Sequence, residues 1–144
     1  MSAMPTLHGT CVEIGGSGVL LQGESGSGKS DLALRLIESG ARLVADDQVV
    51  VAREGESVKA SPPENLRGLI EVRGLGILRL PHIPEVPLSL AVSLGAPERM
   101  PEPETRDILG CGIPLVRLAP FEASAPAKVR LALQSILTPD MVAS

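Results

Sequence analysis

Val19-Leu20-Leu21-Gln22-Gly23-Glu24-Ser25-Gly26-Ser27-Gly28-Lys29-Ser30 carries the pattern G-x-x-x-x-G-K-[ST] from Gly23 to Ser30. An apolar run leads in, and a helix-like stretch from Asp31 to Glu38 leads out, which is the strand–loop–helix context the pattern needs. Glycines at 23, 26 and 28 let the backbone turn its N–H groups inward and approach a phosphate without side-chain clash. The helix N-terminus adds partial positive charge and free donors. Lys29 supplies a point charge for the β- and γ-phosphates, and the Ser30 hydroxyl is placed to ligate Mg²⁺. With average residue usage, a chain of this length matches the pattern by chance on the order of once in a few hundred. Residues Gly23, Glu24, Ser25, Gly26, Ser27, Gly28, Lys29 and Ser30 are therefore read as a nucleoside triphosphate site.

Working outward, Gly9–Ile14 alternates as a strand and turns at Gly15-Gly16 into the Val19–Leu21 strand. Leu32, Ala33, Leu36 and Ile37 make one apolar helical face, closed by Gly40 as a C-terminal cap. Leu43-Val44-Ala45 reads as a short buried strand. Val49–Ala52 and Ser57–Ala60 flank the turn Glu54-Gly55-Glu56 as a hairpin. Leu69–Val72, Leu88–Leu94 and Ile113–Leu118 are further strands. Gly95–Arg106, rich in Pro and charge, reads as an exposed connection. Ser124 and Pro126 open a helix that runs to about Leu137. The class is α/β, one domain over residues 1–144, with residues 1–7 as a flexible lead-in.

Composition narrows the function. Apolar residues make up 44% and charged residues 21% of the 144 positions, the balance of a soluble globular protein. Phe121 is the single aromatic residue, with no Trp and no Tyr, and the net charge is −4. Base stacking on aromatic side chains and a basic footprint are both missing, which argues against nucleic acid. No apolar run is long enough for a membrane span, and Met1–Leu7 is too short and polar for a signal peptide. Cys11 and Cys111 form no metal-spaced or C-x-x-C pair and read as free thiols of a cytoplasmic protein.

Three features bear on what happens to the phosphate. Asp46 and Asp47 end an apolar strand shortly after the loop–helix, where an Asp reaches the metal or the nucleophile. A plain strand-end turn is an equally weighted alternative. Glu71 and Arg73 lie two apart in Ile70-Glu71-Val72-Arg73-Gly74-Leu75-Gly76-Ile77, so in a strand they share a face. A metal-bound carboxylate beside an Arg that steadies phosphate has this form, although a solvent-exposed salt pair is the commoner cause. His8-Gly9 stands just ahead of the first strand, where a lone His is more often decoration than catalyst. His82, between Pro81 and Ile83, reads as structural.

Taken in order, His8-Gly9, Gly23–Ser30, Leu43–Asp47 and Ile70–Ile77 resemble the catalytic domain of HPr kinase/phosphorylase, whose distinguishing signature is E-[IV]-R-G-x-G. The resemblance covers about residues 8–137 and is strongest up to Ile77. It implies a P-loop core with a mixed sheet, related to phosphoenolpyruvate carboxykinase, and a cytoplasmic bacterial serine protein kinase in phosphotransferase-system signalling. ATP and Mg²⁺ are the implied cofactors, an HPr-like phosphocarrier the implied substrate, and a homo-oligomer, a hexamer, the implied assembly. Many members also run the reverse phosphorolysis. By resemblance Lys29 holds phosphates, and Ser30 and Glu71 ligate metal. Asp47 is the general base, with Asp46, His8 and Arg73 beside it as active-site residues. Gly95–Arg106 is a candidate docking surface for the protein substrate.

The resemblance departs at two places. Long members carry a domain ahead of the His-Gly, whereas seven residues precede His8 here, so a short form is expected. The family also has a Gly-Arg-Asn-type turn with a catalytic Arg. Ala119-Pro120-Phe121-Glu122-Ala123-Ser124 stands nearest to it and has no Arg, with Arg117 and Arg130 flanking. The reverse phosphorolysis and the substrate contacts are thereby open: the short form is kinase-only or divergent in partner, or a neighbouring subunit supplies the missing cation. A non-catalytic nucleotide-sensing module and a small-molecule kinase are the alternatives. A sensor needs Lys29 and Ser30 but no base at Asp47, and the want of a lid or of adenine-stacking residues argues mildly against a small-molecule kinase.

Overall fold

Two glycines at positive φ, Gly15 at 58° and Gly16 at 90°, fold the first apolar residues into a tight hairpin within the main sheet. The computed structural model describes residues 4–142. Its strands are β1 (Thr6–His8), β2 (Thr10–Ile14), β3 (Ser17–Gln22), β4 (Arg42–Ala45), β5 (Gln48–Glu54), β6 (Ser57–Ser61), β7 (Leu69–Val72), β8 (Gly76–Arg79), β9 (Val86–Leu94), β10 (Glu104–Ile108) and β11 (Cys111–Leu118). Two helices accompany them, α1 (Lys29–Glu38) and α2 (Ala125–Leu137). The expected α/β class with a mixed sheet is what the chain forms.

The main sheet runs β1-β5-β6-β9-β3-β2-β4, with β11 also paired to β9 and β10 to β11, while β7 and β8 form a separate hairpin. Strands β3, β9 and β11 are mutually parallel. Strand β4 runs the same way, because it is antiparallel to β2, which is antiparallel to β3. Four strands therefore end on one edge, at Gln22, Ala45, Leu94 and Leu118. In open α/β sheets that edge is where ligands bind.

Both faces of this sheet are buried, so its central strands are nearly continuous apolar runs rather than alternating ones. Val19 and Leu21 pack with Leu32, Leu36, Val129 and Leu133 under the two helices. Leu20 turns the other way, into a core with Val44, Val51, Val58 and Ile113. Each fully buried leucine contributes about 1.5–3 kcal/mol relative to exposure, so the two faces together fix the strand order. Gly18 pairs with Leu88 and Val19 with Leu90, which leaves Ser89 as an extra residue in a bulge. That bulge sends Leu88 to one core and Leu90 to the other.

Several local expectations need correction. Thr6 and Leu7, read as part of a flexible lead-in, belong to β1 and pair with β5; Met1 to Ala3 lie outside the described residues. The connection from Gly95 is irregular only to Pro103, since Glu104–Arg106 belongs to β10. The carboxylate of Glu104 takes two hydrogen bonds from Arg117, at 3.0 and 2.9 Å, and this stitches β10 to β11. Ser124 does precede α2, but its side chain makes no capping bond, and its backbone is already helical. The turn Glu122–Ala125, closed by a 3.1 Å backbone bond, leads in instead. Gly40, at φ 114°, ends α1 as expected.

Candidate active site

Lys29 begins α1 directly after Gly28, whose φ of 100° is a left-handed conformation that disfavours any side chain. The Lys29 ammonium folds back over the loop and donates to the carbonyls of Gly23 and Glu24, both at 2.9 Å. It is thus held across the loop mouth, where a phosphate would sit, with its stem buried. Gly26, Gly28, Ser25, Lys29 and Ser30 all face one cleft of about 740 Å³. Gly23, Glu24 and Ser27 do not line it. The first two serve as carbonyl anchors for Lys29. The Ser27 hydroxyl is buried without a partner among the described residues, packed where a Cβ on Gly23 would be.

At the end of β4, the two acidic residues separate completely in environment. Asp46 is buried, 7% exposed. Its Oδ1 accepts from the Ser30 hydroxyl at 2.7 Å and the Thr10 hydroxyl at 2.9 Å. Its Oδ2 accepts from the Glu71 backbone N–H at 3.0 Å. Asp47 points outward, and its Oδ1 meets His8 Nε2 at 3.1 Å, with side-chain exposures of 68% and 54%. The turn between them is strained in a definite way, because Asp47 has φ 70°, a conformation uncommon for residues other than glycine. Its carbonyl accepts from the Gly9 N–H at 3.1 Å. Gly9 itself cannot carry a side chain, since a Cβ there would lie 2.8 Å from the Leu21 carbonyl oxygen. The His-Gly pair therefore reads physically: glycine lets β1 cross close to β3, and His8 arrives beside Asp47.

The β7–β8 hairpin brings Glu71 and Arg73 to the same cleft. Among the described residues no ion pair joins them, so the surface salt pair weighed from the sequence is not formed. Arg117 is taken by Glu104, and Arg130 donates to the Leu36 and Ser39 carbonyls and the Ser39 hydroxyl. Neither lines the cleft, and neither does any residue of Gly95–Arg106. His82 is structural, its ring packed where a side chain on Gly68 would stand, 2.7 Å from the Cβ position.

The donor set fits a magnesium–nucleotide group. Asp46 is a buried carboxylate with no cationic side chain in ion-pair range among the described residues, and buried charges are either paired or bound to metal. A hydroxyl from Ser30 shares its oxygen. Among the described residues no cluster of three or more His, Cys, Asp or Glu could hold an ion by itself. That suits Mg²⁺, which binds one or two carboxylates and completes its octahedron with water and substrate phosphate.

The sequence reading did not single out Thr10, an inward-facing hydroxyl whose only signal was a polar residue on a buried strand. Nor did it place Phe121, which lines the cleft against the phosphate-binding loop. No helix among the described residues is long and apolar enough to cross a membrane.

The comparisons agree with this geometry. A family model described as "HPr Serine kinase C-terminal domain" matches residues 1–83. A protein of Caldanaerobacter subterraneus named HPr kinase/phosphorylase is 54% identical over 74 residues, covering 51% of this chain and 24% of its own length. One of Enterococcus faecalis with the same name is 48% identical over 79 residues, 54% of this chain and 25% of its own. The match thus spans about a quarter of the length of these curated relatives. The solved structure of the HPr(Ser) kinase/phosphatase from Coxiella burnetii superposes with a TM-score of 0.83 at 28% identity, covering 96% of this chain and 99% of that one. With the phosphate-binding loop, the paired Asp residues and the Glu71–Arg73 hairpin converging on one cleft, this chain belongs to the HPr Serine kinase C-terminal domain family.

Proposed function

We propose that this chain is a kinase domain that transfers the γ-phosphoryl group of ATP to a serine hydroxyl of an HPr-type phosphocarrier protein. The observation that carries the reading is the division of labour at the end of β4. Asp46 is tied to the Ser30 hydroxyl at 2.7 Å, while its neighbour Asp47 is free of that cluster and faces the open cleft with His8. A nucleotide sensor needs the first arrangement but has no use for the second.

In this reading the backbone amides of Gly26 to Ser30 and the Lys29 ammonium hold the β- and γ-phosphates. Ser30 and Asp46 would hold Mg²⁺, with Glu71, whose backbone N–H already bonds Asp46, as a further carboxylate lining the cleft. Bound there, the ion neutralises charge that develops on the transferring phosphoryl group. Arg73, without an ion-pair partner among the described residues, offers its guanidinium to the same oxygens. Asp47 accepts the proton of the incoming serine hydroxyl, and His8 fixes the carboxylate's orientation through the 3.1 Å contact. Transfer runs in the forward direction, on one catalytic domain of a cytoplasmic, oligomeric enzyme. Light scattering should give a multiple of the 15.0 kDa chain mass, six chains if the family resemblance extends to assembly.

The test is transfer of labelled γ-phosphate from ATP to a purified HPr-type protein, with Asp47→Asn as control. Phosphoserine formed by the wild type and lost in the variant, with Mg²⁺-dependent ATP binding intact in both, is the expected result. ATP binding without transfer to any HPr-type protein would turn the assignment towards a sensing module.

A further inference from the structure

Phe121 is the one aromatic residue in 144, and the fold puts it at the mouth of the phosphate-binding loop. The ring packs on Gly28. A Cβ at that glycine would lie 2.9 Å from Phe121 Cζ and 3.0 Å from Cε1. Yet the ring is 68% exposed, so one side rests on backbone while the rest faces open space lining the cleft.

The loop that carries it is fastened. Arg35 of α1 donates through Nη2 to the Pro120 carbonyl and through Nη1 to the Glu122 carbonyl at 3.2 Å. Its Nε is held by Asp31 at 3.1 Å. The carbonyls of Pro120 and Glu122, one residue on each side of Phe121, are thus tied to the same helix that starts the phosphate site. The ring is preorganised, which lowers the ordering cost of using it as a contact.

Topology gives the ring its place. Phe121 follows the end of β11, which is parallel to β9, itself parallel to the loop-bearing β3. A phosphate chain that starts at Lys29 and continues along the edge away from Asp46 and Asp47 runs towards this loop. The opposite side is polar, with His8, Asp47, Glu71 and Arg73, and serves phosphoryl transfer in the reading above. An apolar, aromatic end and a charged end match the two ends of a nucleoside triphosphate.

We propose that Phe121 is the platform on which the nucleobase of the bound nucleoside triphosphate stacks. This rests on the nucleotide-binding reading and names the subsite that reading lacked. Stacking on a π-face tolerates any base, so the site selects for the presence of a base more than for its identity.

The test compares Mg²⁺-ATP with Mg²⁺-tripolyphosphate, which keeps the phosphates and lacks the base, by calorimetry on the wild type and Phe121→Ala. The exposed ring contributes little to folding, and circular dichroism checks that the variant is folded. ATP affinity should fall about tenfold, with tripolyphosphate affinity unchanged. Phe121→Trp, a unique fluorophore in a chain without Trp, should restore ATP affinity and be quenched by ATP but not by tripolyphosphate. Equal losses for both ligands, or no loss for either, would overturn the platform and leave the phosphate site standing. A wild type that binds neither ligand would overturn the phosphate site itself, and the platform with it.

Discussion

The Ser30 hydroxyl, on the first turn of α1, donates a 2.7 Å hydrogen bond to Asp46 Oδ1 at the end of β4. The same oxygen accepts from Thr10, so a helix and two strands meet at one buried carboxylate with no cation beside it among the described residues. Asp46→Asn removes the charge and can keep its partners. Turning the amide gives its oxygen to the Glu71 N–H and its two N–H donors to the Ser30 and Thr10 hydroxyls. Metal-free stability should stay within about 1 kcal/mol of wild type. Saturating Mg²⁺-ATP, about a hundredfold above Kd, should raise the wild-type Tm by roughly 5–10 °C and the variant by far less. A variant that keeps the full Mg²⁺-dependent rise in a thermal scan would remove Asp46 from the metal site.

His8 contributes a single exposed contact to Asp47, which predicts a kinetic effect without a structural one. His8→Ala should lower kcat for phosphoryl transfer about tenfold, the worth of one orienting hydrogen bond of about 1.4 kcal/mol. The KM for ATP and the Tm should not move, because an exposed pair stabilises little. A Tm loss matching the rate loss would mean the contact is structural.

Leu109 sits at φ 54° beside Gly110 at φ 85° in the two-residue turn between β10 and β11. Such turns favour Asn-Gly, whereas leucine in the left-handed region costs roughly 1–2 kcal/mol. Leu109→Asn should therefore raise the Tm by about 2–4 °C, read by calorimetry. The Arg53 bond to the residue 109 carbonyl is unaffected by the exchange. An unchanged or lower Tm would show that the turn is not strained.

Burial raises the Cys11 thiol from its ordinary 9.0 to about 12. In the unfolded chain the thiol ionises from about pH 9, while in the folded chain it stays protonated, so folding takes up a proton in that window. The stability it gives is complete below pH 9 and is lost as the pH rises towards 12, by up to about 1.4 kcal/mol per pH unit. Cys11→Ala should flatten the slope of stability against pH above 9, measured by denaturant titration. Native protein should leave Cys11 unlabelled by a thiol reagent that reacts with it fully in guanidinium.

Much of the site was legible because its signals are local. The loop, α1, the Gly15-Gly16 hairpin and the strand before Asp46 each follow from short-range chemistry. The separate environments of Asp46 and Asp47 were not, because adjacent residues at a strand end part only when the backbone turns, here at φ 70°. The identity of the carboxylate that meets Ser30 depends on that turn and on Thr10, a contact across strands. Strand β10 hid among prolines and charges and is held by Arg117. Phe121 lies far along the chain from Gly28, and only the β11 register brings them together.

The parallel strands β3, β4, β9 and β11 leave their carboxyl ends on one edge of a sheet whose two faces are sealed. Evolution can therefore edit that rim while leaving the packed interior alone. A change in the exposed loop after Leu94 disturbs no core layer, whereas a change within β3 disturbs two at once. Novelty in this lineage has a natural address, and it is the rim rather than the scaffold.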